Sequence, residues 1–186
     1  MTQPVYSIAI DFDCTDWAGA HDFTTSGDDI TNDVKAFRIS RGKDKDSNSY
    51  PAATLELTIE NHSGNYYPTQ AGKTPGPKVR LWLPVRVTAT YPTPATPYNL
   101  FYGYINRITA YPIKNKQEIY FYCTDGIDLL AKQIVVQDMD DKTVITDGAA
   151  AGLILDAADW NATRRTIDLD GGNIANFPDT FEFEKP

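Results

Sequence analysis

Carboxylates are the residues of this chain whose spacing most suggests chemistry. Ile8-Ala9-Ile10-Asp11-Phe12-Asp13-Cys14-Thr15 reads as a hydrophobic strand ending in Asp-x-Asp-x-Thr. Paired carboxylates at a strand end can serve nucleophilic, acid/base or metal-assisted chemistry. Such chemistry needs further groups, and a sheet whose strand ends converge on the site. Asp138, Asp140, Asp141 and Asp147 supply acids, but the chain supplies strand after strand without intervening helices. The expectation is a strand with the solvated acids Asp11, Asp13 and Asp16 at its end, and no catalytic residue.

Asp11–Thr15 resembles the first motif of haloacid-dehalogenase-type phosphatases, and the resemblance implies Asp11 as nucleophile, Asp13 as acid/base and Mg²⁺ between carboxylates. It also implies a downstream lysine, a second acidic pair and a doubly wound parallel sheet, an architecture that strand after strand does not supply. Other constellations are weaker. A calcium loop counted from Asp138 puts Thr143 at the sixth position and Ala149 at the twelfth, where an EF-hand needs Gly and a bidentate Glu. His21 and His62 fall in expected loops with no nucleophile patterned beside them, which leaves a triad unsupported. No two carboxylates are marked as a glycosidase pair. Cys14 and Cys123 form no CxxC or Cys/His cluster, and two free, partly buried thiols are expected in place of a disulfide. No metal site and no cofactor are read.

The elements that would position these residues are mostly strands. Tyr6, Ile8, Ile10 and Phe12 alternate with Val5, Ser7, Ala9 and Asp11. Val34–Arg41 follows, with Phe37 and Ile39 inward. Thr54–Glu60 places Leu55, Leu57 and Ile59 on one face. Val79–Leu83 alternates up to a break or edge at Pro84, and Val85–Tyr91, Leu100–Ile108 and Glu118–Cys123 complete the set. Residues 15–33, 42–51, 70–77 and 92–97 read as loops. Short strands joined by turn clusters favour a barrel or sandwich. The period then changes. Ile127, Leu130, Ala131 and Ile134 form a helical stripe, capped by Thr124 or Asp125, with Asp128 suited to the first turn. This helix is expected to close an open end of the barrel. A second helix is expected from about Gly148 to Trp160, with Asp147 as cap and Ala150, Leu153, Ile154, Ala157 and Trp160 apolar. Thr166–Leu169 reads as a strand. The fold class is mainly β with minor α: an antiparallel β-barrel over 1–125, a helical segment over 126–164, and the start of a second β domain or an extension over 165–186.

The net charge of −8 opposes a protein that grips nucleic acid, because phosphate neutralisation needs clustered Lys and Arg. No run of about 18 apolar residues is present, so no membrane span is read. Asn61-His62-Ser63 and Asn161-Ala162-Thr163 match the glycosylation sequon and are read as a turn and a helix end. The 11 tyrosines suit either a sugar-binding face or a wet subunit interface. Tyr120 and Tyr122 face away from Ile119, Phe121 and Cys123, so they lie outside the barrel or under something else. The residues expected at an interface are Tyr91, Tyr102, Tyr104, Tyr120 and Tyr122.

The order of these pieces carries a resemblance. Arg41-Gly42 precedes a long loop, Leu57-Thr58-Ile59-Glu60-Asn61 runs into Gly64, and Tyr66-Tyr67-Pro68 follows. Then come Pro84-Val85-Arg86, Phe101-Tyr102-Gly103-Tyr104-Ile105, and Cys123-Thr124-Asp125 leading to Leu129-Leu130. Residues 153–169 add a helix ending near Trp160, then Arg164-Arg165-Thr166-Ile167-Asp168. This order resembles the N-terminal part of phage tail hub proteins, the ring-forming proteins at the tip of the tail. The resemblance implies a structural, non-enzymatic protein in a homo-trimer or a ring with other hub and tail proteins. It implies contacts with the distal tail ring and tip proteins, location at the virion tail tip after synthesis in the host cytoplasm, and DNA that passes without being bound. Family hubs continue into a second barrel-like domain, so the chain resembles an N-terminal piece or a shortened relative. The competing reading is a carbohydrate-binding β-sandwich for host attachment.

Overall fold

Alternation of apolar and polar residues along Thr54–Glu60 and Ile119–Cys123 lets a strand bury one face while the other meets water. The sheet is built on that period. In a computed structural model the chain is described over residues 3–16, 19–25, 27–42, 51–68, 70–91, 95–113, 116–132, 144–158 and 173–175. The first six strands are β1 (Val5–Ile10), β2 (Val34–Ser40), β3 (Thr54–Glu60), β4 (Pro84–Thr90), β5 (Pro97–Ile113) and β6 (Lys116–Thr124). They form one antiparallel sheet in the order β1-β4-β5-β6-β3-β2, curled into a half-barrel. Ile8, Ile10, Leu55, Leu57, Ile59, Val85, Val87, Ile105, Phe121 and Cys123 belong to its core.

The two edge strands meet through rings, not ladder bonds. Tyr6 of β1 and Phe37 of β2 stand edge to face with centroids 5.2 Å apart. The outer edge of β1 is instead occupied by residues 28–31. Ile10 N–H donates to Asp28 O, Ile30 N–H to Ile8 O, and Ala9 bridges Asp29. This segment was expected to be part of a polar loop. Its lone apolar residue, Ile30, is buried in the core and draws the backbone onto the sheet.

Other expectations change in detail. Residues 79–83 form no strand; Trp82 adopts a positive φ of 68°, held where its N–H donates to Ile105 O at 2.8 Å. Pro84 then starts β4, the position in a strand that tolerates a missing donor. β5 is longer than expected and pairs with β6 out to Ile113 and Lys116. A Cβ at Gly103 would come within 2.3 Å of Thr124 O and 2.7 Å of the Phe101 ring, so close strand packing there requires glycine.

Helix α1 (Gly126–Lys132) follows β6 directly. It has no buried residue; Ile127 is 54% exposed, Ala131 is exposed, and Leu129 and Leu130 are half-buried. The expected stripe therefore does not seal the barrel: the helix is short, and Ile134 lies outside the described residues. The chain divides into two compact units, 1–17 with 21–132 and 18–20 with 133–186, which places α1 with the sheet. In the second unit β7 (Val144–Thr146) leads into α2 (Asp147–Ala157) and pairs antiparallel with β8 (Asn173–Ala175). Val144–Thr146 falls within the stretch tested above as a calcium loop, where no strand was expected; Asp138, Asp140 and Asp141 lie outside the described residues. On α2, Ala150 is buried and Leu153 half-buried, but Ile154 and Ala157 are exposed, contrary to the expected stripe. Trp160, Asn161, Arg164, Arg165 and the expected strand Thr166–Leu169 also lie outside the described residues.

Candidate functional site

The Asp-x-Asp pattern folds into a backbone staple. Asp11 Oδ1 accepts the Asp13 N–H at 3.2 Å, and Oδ2 accepts the Asp22 N–H at 3.1 Å. Asp11 is 4% exposed, which corrects the reading of a solvated acid. Both of its oxygens accept amides of the chain itself. Asp13 is exposed and pairs with Lys78 Nζ at 2.5 Å. Among the described residues, no group of three or more His, Cys, Asp or Glu is placed to hold a metal ion.

The histidines take structural positions. His21 hydrogen-bonds through Nδ1 to Tyr102 Oη and stacks on the Tyr102 ring at 6.0 Å. It also stands edge to face with Tyr104, and Arg86 places its guanidinium 4.5 Å from the Phe23 ring centre. The residues around His21 and Phe23 thus pack onto the face of β4 and β5 opposite the core. Tyr104 is fully buried there, so it does not present its ring to a neighbouring chain, contrary to the interface expected of it. Tyr102 is half-buried beneath His21. Asn61 Oδ1 accepts the Tyr66 N–H and its Nδ2 is buried, so that sequon is a turn device. Both cysteines are free and buried.

Tyr111, Tyr120 and Tyr122 lie on the outer face of the sheet. The strand registers align Arg38, Glu56, Tyr122 and Arg107 in one row across β2, β3, β6 and β5. The next row is Ala36, Thr58, Tyr120 and Thr109. Arg107 holds its guanidinium 5.3 Å from the Tyr122 ring centre, and Tyr120 meets Tyr111 edge to face at 5.2 Å. Tyr120 Oη donates to Glu118 Oε2 at 2.5 Å, and Lys35 Nζ pairs with Glu118 Oε1 at 2.7 Å. That pairing places Lys35 above its ordinary range, chiefly through the hydrogen bond to Glu118. Tyr120 and Tyr122 are half-buried, and Tyr91 and Tyr98 are exposed, 6.0 Å apart beside the β4–β5 connection. The result is a wall of pre-ordered rings and charges, suited to a polar protein contact.

Two shallow depressions flank the sheet. One of about 320 Å³ lies between Arg41, Leu100, Asp125 and Ile127, where Arg41 Nη1 donates to Leu100 O at 2.8 Å. Another of about 440 Å³ lies along Arg80, Leu81, Arg107 and Ile108. Arg80 is tied to Cys14 O and Arg107 to Tyr122, so these guanidiniums are already engaged. Sequence reasoning missed the Lys35–Glu118 pair and the Arg107–Tyr122 contact; only the register across strands brings them together.

Comparison with protein-family models matches no family, and comparison with curated proteins finds no similar chain. No helix among the described residues is long and apolar enough to cross a membrane.

Proposed function

We propose that the chain is a structural component of a phage tail-tip hub, part of a ring that joins the tail tube to the tip and lines the path of exiting DNA. The observation that carries this reading is the outer face of β2, β3, β6 and β5, where Tyr120 and Tyr122 are set in rows of Arg, Glu and Thr. Such a face binds through area and polar complementarity, not through chemistry. The pieces of the hub-like pattern also fall at structural junctions: Gly103 at the close approach of β5 to Thr124, Pro84 at the start of β4, and Asp125 between β6 and α1. In this reading the half-barrel acts as one barrel-type wall segment of a homo-trimer or mixed ring. The distal tail ring and tip proteins are its neighbours.

The net charge of −8 fits a wall that DNA passes without sticking. A basic wall would instead hold the duplex through counterion release. Electron microscopy of the purified particle, with an antibody to this chain, tests the proposal. The expected result is label at the tail tip and a ring with a central channel. Label on the capsid, or measurable duplex-DNA affinity at physiological salt, would sink it. Tyr122→Ala with Arg107→Glu is expected to remove the chain from the ring while leaving its unfolding midpoint nearly unchanged.

A further inference from the structure

Residues 28–31 hold the edge of β1 that faces away from β4. Ile10 N–H donates to Asp28 O and Ile30 N–H to Ile8 O, both at 2.9 Å, and Ile8 N–H donates to Thr31 Oγ1 at 2.9 Å. Asp28 is fixed twice, because its Oδ1 also accepts the Phe12 N–H at 3.4 Å. Its other oxygen, Oδ2, is buried and has no hydrogen-bond partner, in a residue only 2% exposed.

The charged groups around this carboxyl are acidic: Asp11, Asp13 and Asp22. Asp11 is a further carboxylate, and each of its oxygens already accepts a backbone amide. A buried carboxylate with an empty oxygen and only like charges around it is among the costliest groups a fold can carry. A metal ion would relieve it, but no metal-holding group of three ligands exists among the described residues. A proton removes the charge and leaves a neutral hydroxyl, which costs far less to bury.

We propose that residues 28–31 form an acid-strengthened clasp on the outer edge of β1, closed while Asp28 carries a proton and loosened when it ionises. Burial pushes the Asp28 carboxyl above the usual carboxylate range, and Asp11, Asp13 and Asp22 push it the same way, against the Phe12 N–H. The folded state therefore binds the proton more tightly than the unfolded chain. The stabilisation is fully present below the unfolded value and is lost as pH rises through the folded one. Loosening the clasp bares the β1 edge at Ile8–Ile10 for pairing with another strand.

The test is NMR on the full-length chain, following the Asp28 side-chain carbon and amide protection at Ile10 and Ile30 against Leu57. Asp28 is expected to titrate above about pH 4, with protection at Ile10 and Ile30 falling up to about tenfold relative to Leu57 for each unit between about pH 4 and its own midpoint, and levelling off above that midpoint. Asp28→Asn is expected to remove that fall. Titration of Asp28 at or below the ordinary value, or protection that ignores pH, overturns the clasp. So does a gain in protection when Ca²⁺ is added to the wild-type chain at neutral pH and not to Asp28→Asn, because a cation would then be the neutralising group. Should Asp28→Asn fail to fold, the wild-type titration decides alone.

Discussion

Ala53 and Asp125 hold each other twice. Ala53 N–H donates to Asp125 Oδ2 at 2.8 Å, and Asp125 N–H donates to Ala53 O at 3.0 Å. The same carboxylate caps α1, since Oδ1 accepts the Ile127 N–H at 3.1 Å and the Asp128 N–H at 3.4 Å. One side chain therefore ties the start of β3, the end of β6 and the first turn of the helix. Asp125→Ala removes a cap, about 0.5–2 kcal/mol, and a hydrogen bond, about 0.5–1.5 kcal/mol. Asp125→Asn is expected to cost less, because Asn also caps well. Urea midpoints of the two variants check this.

Leucines on α1 and in the sheet are expected to differ. Leu57 is in the core, so Leu57→Ala is expected to cost about 2–5 kcal/mol. Leu130 is half-buried on a helix with no buried residue, so Leu130→Ala is expected to cost about 1 kcal/mol. Equal losses for the two substitutions would mean that α1 covers the core after all.

Asp128 gives a pH dependence opposite to that of Asp28. Lys132 Nζ lies 2.6 Å from its Oδ2 and, with a hydrogen bond from Thr124 Oγ1, holds the carboxyl below the usual range against partial burial. Its contribution is present above the unfolded carboxylate value and is lost as pH falls through the folded one. Lys132→Ala is expected to move the Asp128 titration upward, read from its side-chain carbon, at a stability cost of about 0.3–0.5 kcal/mol at neutral pH. An unmoved titration would show that Thr124 alone holds it.

The thiols are expected to be silent in the native protein. Burial pushes both upward, Cys123 well beyond the ordinary thiol range and Cys14 more modestly, with Asp11 adding to the effect on Cys14. A thiol reagent at pH 8 is expected to label neither in the folded chain and both in denaturant. Rapid native labelling of Cys123 would mean that the core opens between β3 and β6.

Residue order alone determined most strands of the large sheet, though Val79–Leu83, read as one, is not a strand. Leu55, Leu57 and Ile59, like Ile119, Phe121 and Cys123, announce a buried face through a period of two, and that period is local. A cap at Thr124 or Asp125 was legible for the same reason, since a polar side chain before a helical stripe acts within one turn; the structure gives it to Asp125. That the Asp11 motif follows a strand of an antiparallel sheet, not of a doubly wound parallel one, was also readable, from the strands that succeed one another without helices between them. Tertiary structure decided the rest, because those facts depend on residues far apart in the chain. Asp11 is buried because Asp22 returns to it, and Tyr104 is hidden because His21 folds over its ring. Ile30, alone in a polar stretch, becomes core only because β1 has an open edge for residues 28–31 to follow. The row from Arg38 to Arg107 exists only in the registered sheet, since pairing between strands, and not spacing along the chain, sets which side chains become neighbours.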